Sequence, residues 1–315
     1  MQTPKLNIIV PCYNEEEVLP TSAPILAQLL DDLIAQEAVA PTSQICFVND
    51  GSRDKTAEIL SDLSKKSSRF ACLMLSRNFG HQAALLAGLF ETDADIYITI
   101  DVDLQDDPHK IAEMVQKYKE GNEIVYGVRT NRDSDSWFKE KTARLFYRIQ
   151  GLMGIKTIYN AADFRLMSRR AVEALANFKE KNLFLRGIIP LLGFQSAQVF
   201  YPRTERTAGE TKYPFFKMFS FALNGIVGFS IVPIRFVTIM GMIISGIGFL
   251  LLLWSLYRAL TGGSIQGWAS LFSAMTFFNG IIIFSLGVIG EYIGKIFTEV
   301  KGRPLFIIDQ KIGLN

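Results

Sequence analysis

Cysteine is scarce and unpaired: there are three in 315 residues, Cys12, Cys46 and Cys72, with no CxxC spacing. That excludes a disulfide framework and a thiolate zinc site, and it fits a reducing compartment. Histidine is scarcer still, with only His81 and His109, too few for a histidine-built metal centre. Charge of one sign is also lacking. The 33 Lys and Arg stand against 31 Asp and Glu, a net charge of +2, and no run is long and single-signed, so the concentrated basic surface that nucleic acid requires is absent. The first apolar run stops at Pro11, too short for the core of a signal peptide, and the first domain is expected in the cytosol. What is plentiful is apolar: 49% hydrophobic residues against 20% charged. That excludes a disordered chain and exceeds what an ordinary soluble protein carries, so part of the chain is expected in lipid.

Two uncharged stretches, around 236–256 and 268–290, are each long enough at about 20 residues to cross a hydrocarbon core as a helix. Lys212, Lys217, Arg235, Lys295, Lys301 and Arg303 flank their outer ends, whereas Arg258 alone lies at the connecting loop. That bias places both termini in the cytoplasm, as a multi-pass protein of the inner (plasma) membrane. Trp254, Tyr257 and Trp268 fall where interfacial aromatic rings anchor. Residues 206–233, rich in Phe and Met, read as a juxtamembrane helix along the membrane surface. The expected organisation is a catalytic domain over 1–205, this interfacial segment, two transmembrane helices over 234–290 and a cytoplasmic tail over 291–315. Small residues such as Gly241, Ser245 and Gly248 permit helix association and hence a homo-oligomer.

Over the first 200 residues, strand candidates (6–11, 45–50, 70–76, 95–101, 123–128) alternate with helix patterns such as 56–66 and 109–121. The alternation predicts an α/β fold, a mostly parallel sheet with helices on both faces, whose ligands bind beyond the carboxyl ends of the strands. At those ends lie Pro11, Tyr13, Asn14 and Glu15, then Asn49, Asp50 and Gly51, then Asp101, Asp103, Gln105 and Asp106. Neither a GxGxxG turn nor a GxxxxGK[ST] loop is present, which excludes the standard dinucleotide and P-loop arrangements. Two carboxylates two residues apart, Asp101 and Asp103, repel each other unless a cation lies between them, and hard cations accept a few oxygen ligands plus substrate phosphates.

The segments VPCYNEEE, VNDGSRDKT, LSRNFGHQAALLAGL, DVDLQDDP and ADFRLMSRRAV, in that order and followed by two apolar spans, resemble the family 2 glycosyltransferases that act on polyprenyl phosphates. The similarity is greatest to bacterial polyisoprenyl-phosphate glucosyltransferases, with dolichyl-phosphate mannosyltransferases more distant. The resemblance implies a GT-A type fold, a UDP-sugar donor, a polyprenyl phosphate acceptor such as undecaprenyl phosphate, and Mg²⁺ or Mn²⁺. Residue by residue, it implies that Pro11, Tyr13 and Glu15 line the uridine pocket, that Asp50 and Asp101 hold nucleotide, and that Asp101, Asp103 and Gln105 surround the metal. Asp163 falls at the family's catalytic acid position, followed by Arg165. Arg129, Arg203, Arg206 and Lys212 fall in segments that approach the diphosphate or the acceptor phosphate. Asn49 stands where the second motif often has another acid. His81 reads as a hydrogen-bonding residue at a helix start rather than as a metal ligand.

A phosphate monoester has a second pKa near ~6 and arrives largely as a dianion, so the acceptor is already a nucleophile and no strong general base is required. The resemblance implies a single displacement with inversion. Mannose or an aminoarabinose-type sugar remain open as alternatives to glucose. A processive synthase is disfavoured, because no Trp follows Arg as its QxxRW segment requires. A non-catalytic membrane scaffold is disfavoured by the intact Asp101, Asp103, Gln105 and Asp163.

Overall fold

The computed structural model describes residues 3–130, 158, 160–178, 180, 184–202, 232–261 and 267–314. Arg203, Arg206, Lys212 and most of the expected interfacial segment lie outside them. The chain divides into two units: residues 1–148, 156–212 and 303–315 form one, and 149–155 with 213–302 form the other.

The first unit is built on an eight-stranded sheet among the described residues. The strands are β1 (Leu6–Cys12), β2 (Gln44–Asn49), β3 (Phe70–Leu75), β4 (Ile96–Thr99), β5 (Ile124–Arg129), β6 (Ala161–Ser168), β7 (Ser196–Tyr201) and β8 (Ile308–Ile312), in the order β7-β5-β6-β4-β1-β2-β3-β8. Every residue of β1, β2, β3 and β4 is buried, which is why these segments read as continuous apolar runs rather than alternating ones. The expected parallel core is present: β1 pairs in parallel with β2 and β4, β2 with β3, and β5 with β7.

Three antiparallel pairings complete the sheet. Strand β6 lies between β4 and β5, and β8 borders β3. The segment ADFRLMS was legible as a motif but not as a strand, because its polar Asp163 and Arg165 break the apolar run that marks its neighbours. The antiparallel course of β6 decides where the site is. Its first half lies beside the carboxyl end of β4, with Arg165 opposite Thr99. Strand β8 falls within the stretch expected to be a tail, and its residues Asp309, Gln310 and Lys311 are exposed. They do not form the apolar run by which strands were recognised.

Helices α1 (Leu19–Ala35), α2 (Thr56–Lys66), α3 (His81–Glu91), α4 (Lys110–Lys119), α5 (Arg169–Ala176) and α6 (Leu185–Ile188) cover the sheet. Leu19, Leu26, Leu30 and Leu33 give α1 a buried stripe. Helix α3 is almost wholly apolar and buried from Ala83 to Leu89. It approaches the sheet so closely at Gly88 that a Cβ there would lie 2.2 Å from Ile9 Cγ2.

The second unit contains α7 (Val232–Leu260, 29 residues) and α8 (Trp268–Val300, 33 residues). At 1.5 Å per residue these are roughly 43 and 50 Å long. Among the described residues one segment, Phe278–Val300, is long and apolar enough to cross a membrane, and none of it is buried within the protein. The helix therefore runs ten residues beyond the Gly290 boundary expected from charge, carrying Glu291 and Lys295 with it.

The contact at Gly88 gives a stability test. Gly88→Ala is expected to cost about 1–3 kcal/mol through overpacking, read as a lower Tm of the full chain. Combined with Ile9→Ala, it should cost less than the sum of the two single changes, because the pair shares one contact.

Candidate active site

The loops that follow β1 and β2 hold each other through backbone groups. Asn14 N–H donates to Ser52 Oγ at 3.0 Å, Glu15 N–H to Thr56 Oγ1 at 2.8 Å and Glu16 N–H to Asp54 Oδ2 at 3.2 Å. In return, Arg53 N–H donates to Asn14 Oδ1 at 2.8 Å and Lys55 N–H to Glu16 Oε2 at 3.0 Å. Asn14 adopts a left-handed backbone, φ 55°, a conformation Asn tolerates better than most residues. Pro11 is buried within β1, while Tyr13 is 40% exposed.

Asp50 is buried and reaches across to the β3–α3 loop, accepting from Phe79 N–H at 2.7 Å and Gly80 N–H at 2.9 Å, one to each carboxylate oxygen. Burial raises its pKa more than these two bonds lower it. The turn beside it needs Gly51, since φ is +65° and a Cβ would lie 2.4 Å from the Arg77 carbonyl carbon. The Asn49 side chain caps this turn, its Oδ1 accepting from Ser52 N–H at 3.1 Å. A cleft of about 900 Å³ opens behind this turn, lined by Gly51, Ser52, Arg77, Asn78 and Gln310 among others, and neither Asp101 nor Asp103 borders it.

Strand β4 ends at Thr99, and Asp101–Gln105 form a turn with Leu104 at φ 48°. Asp103 and Gln105 are neighbours as expected: Gln105 donates from Nε2 to Asp103 Oδ2 at 2.8 Å and from its backbone N–H to Oδ1 at 3.3 Å. Loss of surrounding water pushes the Asp101 pKa up to about 6; His81 opposes the rise, and the negative charges of Asp163, Asp106 and Asp103 add to it. Among the described residues no group of three His, Cys, Asp or Glu side chains is arranged to hold a metal ion unaided. Two carboxylates and a carboxamide are nevertheless hard oxygen donors, the kind of group a divalent cation accepts beside the oxygens of a diphosphate.

Asp163, on β6, is engaged through both carboxylate oxygens. Arg165 Nη2 donates to its Oδ1, and Arg186 grips both oxygens, from Nε at 3.2 Å and from Nη2 at 3.1 Å. His81 Nε2 lies 3.7 Å from Asp163 Oδ2 and 3.6 Å from Asp101 Oδ1. Thr99 Oγ1 donates to the Asp163 carbonyl, locking β4 to β6. Burial alone would raise the Asp163 pKa, but His81, Arg165 and Arg186 outweigh it and hold the carboxyl well below its ordinary value. A carboxyl held that low is a poor proton acceptor. His81 shows the converse: burial opposes its charge, and hydrogen bonding to Asp163 with the field of Asp101 raises its pKa.

Arg129, at the end of β5, donates from Nε to buried Asp106 at 2.7 Å, and Tyr201 Oη donates to the same oxygen at 2.8 Å. In this structure Arg129 thus ties the acidic turn to the end of β5, and Tyr201 ties it to the end of β7. The structure brings together Asp101, Asp163 and Arg165 of the expected set, and it adds His81, Arg186 and Asp106. The signal for His81 was its place in the motif between β3 and α3, and for Asp106 its place in the acidic turn. Arg186 carried no motif.

Residues 7–176 match the model for glycosyl transferase family 2. The chain belongs to that family. Among curated relatives, the uncharacterized glycosyltransferase YkoT of Bacillus subtilis is 48% identical over 97% of this chain and 91% of its own length. The SfII prophage-derived bactoprenol glucosyl transferase of Shigella flexneri is 38% identical over 96% of this chain and 97% of its own length. The prophage bactoprenol glucosyl transferase homolog of Escherichia coli is 37% identical over 96% and 98%. A solved structure of glucosyl-3-phosphoglycerate synthase from Mycobacterium tuberculosis covers 70% of this chain and is covered over 75% of its own, at TM-score 0.45 and 16% identity. This family 2 chain therefore matches its curated relatives through the second unit as well as the first.

The charge cluster makes a prediction about stability. Asp163→Asn is expected to cost about 3–5 kcal/mol, because buried Arg165 is left without its counter-charge. A carboxyl with a lowered folded pKa stabilises the fold above the ordinary carboxylate range, and that contribution is lost as pH falls through the depressed value. Tm measured against pH should accordingly fall less on acidification in the Asn variant than in the wild type.

Proposed function

We propose that this family 2 enzyme transfers a glucosyl unit from UDP-glucose to the phosphate of a membrane polyprenyl carrier, with inversion at the anomeric carbon. The observation that carries the reading is near-full-length identity to bactoprenol glucosyl transferases, supported by an acidic turn and an Asp163 cluster at the end of one sheet. In the reaction, an oxygen of the acceptor phosphate dianion forms a bond to the anomeric carbon as the bond to the UDP oxygen breaks. UDP leaves with the electron pair, and no proton has to move. The low pKa of Asp163 accords with this, since a base is not needed and Asp163 is poorly suited to be one.

Most of the expected residues have a place in this scheme. Pro11, Tyr13, Glu15 and Asp50 stand at the nucleotide side. In the proposal Asp50 acts partly through the loop it holds, whose Arg77 and Asn78 line the cleft. Asp101, Asp103 and Gln105 would hold Mg²⁺ or Mn²⁺, which when bound neutralises charge developing on the departing diphosphate. Arg129 keeps the acidic turn in place from its bond to Asp106. Arg203, Arg206 and Lys212 are proposed to meet the acceptor phosphate.

A prenyl tail cannot leave the bilayer cheaply, at ~0.8 kcal/mol per CH₂, so the proposal places the enzyme in the plasma membrane with two spans. Chain connectivity supports an even number of crossings. Strands before the helices and β8 after them share one sheet, so a crossing by Phe278–Val300 requires a second, for which α7 has the length. Exposed Trp254 and Tyr257, at 56% and 65%, sit towards the end of α7, where interfacial aromatics belong.

With radiolabelled UDP-glucose and undecaprenyl phosphate, the purified chain should move label into the lipid phase, and EDTA should stop it. Asp103→Asn should lower turnover by about 10²–10³-fold, the loss typical of one charge-stabilising group at a reacting diphosphate. Transfer with another sugar nucleotide and none with UDP-glucose would overturn the donor assignment.

A further inference from the structure

Tyr201, the last residue of β7, is 1% exposed. A tyrosine at that depth needs a partner for its hydroxyl, and it has one in Asp106, to whose Oδ1 the Oη donates at 2.8 Å. Asp106 follows Gln105 directly, so this bond joins the end of β7 to the acidic turn. Arg129, which lies opposite Tyr201 in the parallel pairing of β5 and β7, donates from Nε to the same oxygen at 2.7 Å. Asp106 is itself buried, and among the described residues no donor reaches its Oδ2. Both donors therefore act on one oxygen, and nothing at the other replaces one that is lost.

The ring that carries the hydroxyl is fixed by its neighbours in the sheet. It meets Phe164 edge-on, with centroids 5.6 Å apart and planes at 73°, an arrangement that aromatic pairs favour. Phe164 lies between Asp163 and Arg165 on β6 and is wholly buried. Gly127 of β5 leaves room for both rings, since a Cβ there would lie 3.0 Å from Tyr201 Cε1 and 2.7 Å from Phe164 Cδ1. The Tyr201 backbone is held as well, its carbonyl accepting from Thr130 N–H at 2.9 Å. Burial, and after it the charge of Asp106, pushes the phenol pKa up, so the hydroxyl keeps its proton and donates. A donor mounted in this way fixes Asp106 relative to β5, β6 and β7 together.

The acidic turn needs such fixing. Asp101, Asp103 and Asp106 bring like charges into one short segment, with His81 facing Asp101. Gln105 bonds Asp103 through its backbone and its side-chain N–H groups, but those bonds set the two residues relative to each other rather than to the neighbouring strands. We propose that Tyr201 is a positioning residue for the cation site: through Asp106, its hydroxyl holds Asp103 and Gln105 at the places from which they take Mg²⁺ or Mn²⁺. The inference rests on the acidic turn being that site and is independent of the sugar and of the acceptor. Metal–ligand distances tolerate a displacement of only about 0.2 Å. A hydroxyl one residue removed from the ligands can thus govern affinity for the ion.

Mn²⁺ binding by the full chain in detergent micelles tests this without turnover, followed through the electron paramagnetic resonance of the unbound ion with UDP present. Tyr201→Phe keeps the ring and alters no charge, so Asp101, Asp103, Asp106, His81 and Arg129 retain theirs. It should weaken Mn²⁺ binding by about three- to tenfold, a part of what a buried bond to a carboxylate is worth, while UDP affinity measured in EDTA stays within about twofold. Asp106→Ala should weaken Mn²⁺ binding at least as much. The double variant should bind no worse than Asp106→Ala alone, because the hydroxyl acts only through that carboxylate. Should Asp106→Ala fail to fold, Tyr201→Phe decides alone, with its Tm recorded to show that it is folded.

Unchanged Mn²⁺ affinity in folded Tyr201→Phe would overturn the inference, as would additive losses in the double variant or an equal loss of UDP affinity in EDTA. A wild type that binds no Mn²⁺ would overturn it together with the cation-site reading. Tyr201-dependent Mn²⁺ binding without UDP-glucose turnover would support the role of Tyr201 and count against the donor assignment alone.

Discussion

One carboxylate organises this site. Asp163 is almost sealed from water, and a buried anion of that kind persists only if positive groups surround it. Meeting that requirement draws in Arg165 from the same strand, Arg186 from α6 and His81 from the start of α3, while Thr99 at the end of β4 holds the backbone carbonyl. Four segments far apart in sequence are thus committed to one point by electrostatics rather than by apolar packing. The apolar sheet beneath supplies the rigidity that keeps the point in place.

The acidic turn beyond β4 poses the opposite problem. There the negative charges of Asp101, Asp103 and Asp106 accumulate, with His81 facing Asp101 and Arg129 bonded to Asp106. His81, within 4 Å of both Asp101 and Asp163, links this turn to the arginines on β6 and α6, so acids and bases from the two places form one charged cluster.

The parallel half of the fold could be read directly, because strands buried on both faces are written as uninterrupted runs of Ile, Val, Leu and aromatics. Asp101, Asp103 and Gln105 stand out in the sequence as a short polar motif after one of those runs, whereas Asp163 stands out only through the resemblance of its motif to a family. Strands β6 and β8 could not, for a related reason: each carries charged residues in its middle, Asp163 and Arg165 in the first, Asp309 and Lys311 in the second, and only sheet pairing makes them strands. Arg186 was illegible because its importance comes from a tertiary contact across more than twenty residues, with no local pattern to announce it. His81 was seen as a helix-start residue, which it is, but the two acids it faces come from β6 and the β4 turn and meet it only once the sheet has formed.

Strand β8 has a consequence for how the molecule is made. It pairs with β3 across more than 230 residues of chain, and the ribosome delivers it only after both long helices have been synthesised. Until then the outer edge of β3 presents unsatisfied amide and carbonyl groups, a template for wrong partners. The last ladder of the sheet can therefore zip only in a chain whose helical hairpin has been made and has brought its end back. Pairing separated by so long a loop is intrinsically slow. Completion of the sheet in the first unit is in this way timed by synthesis of the second unit, and a nascent chain stalled in the second long helix would be left with an open sheet.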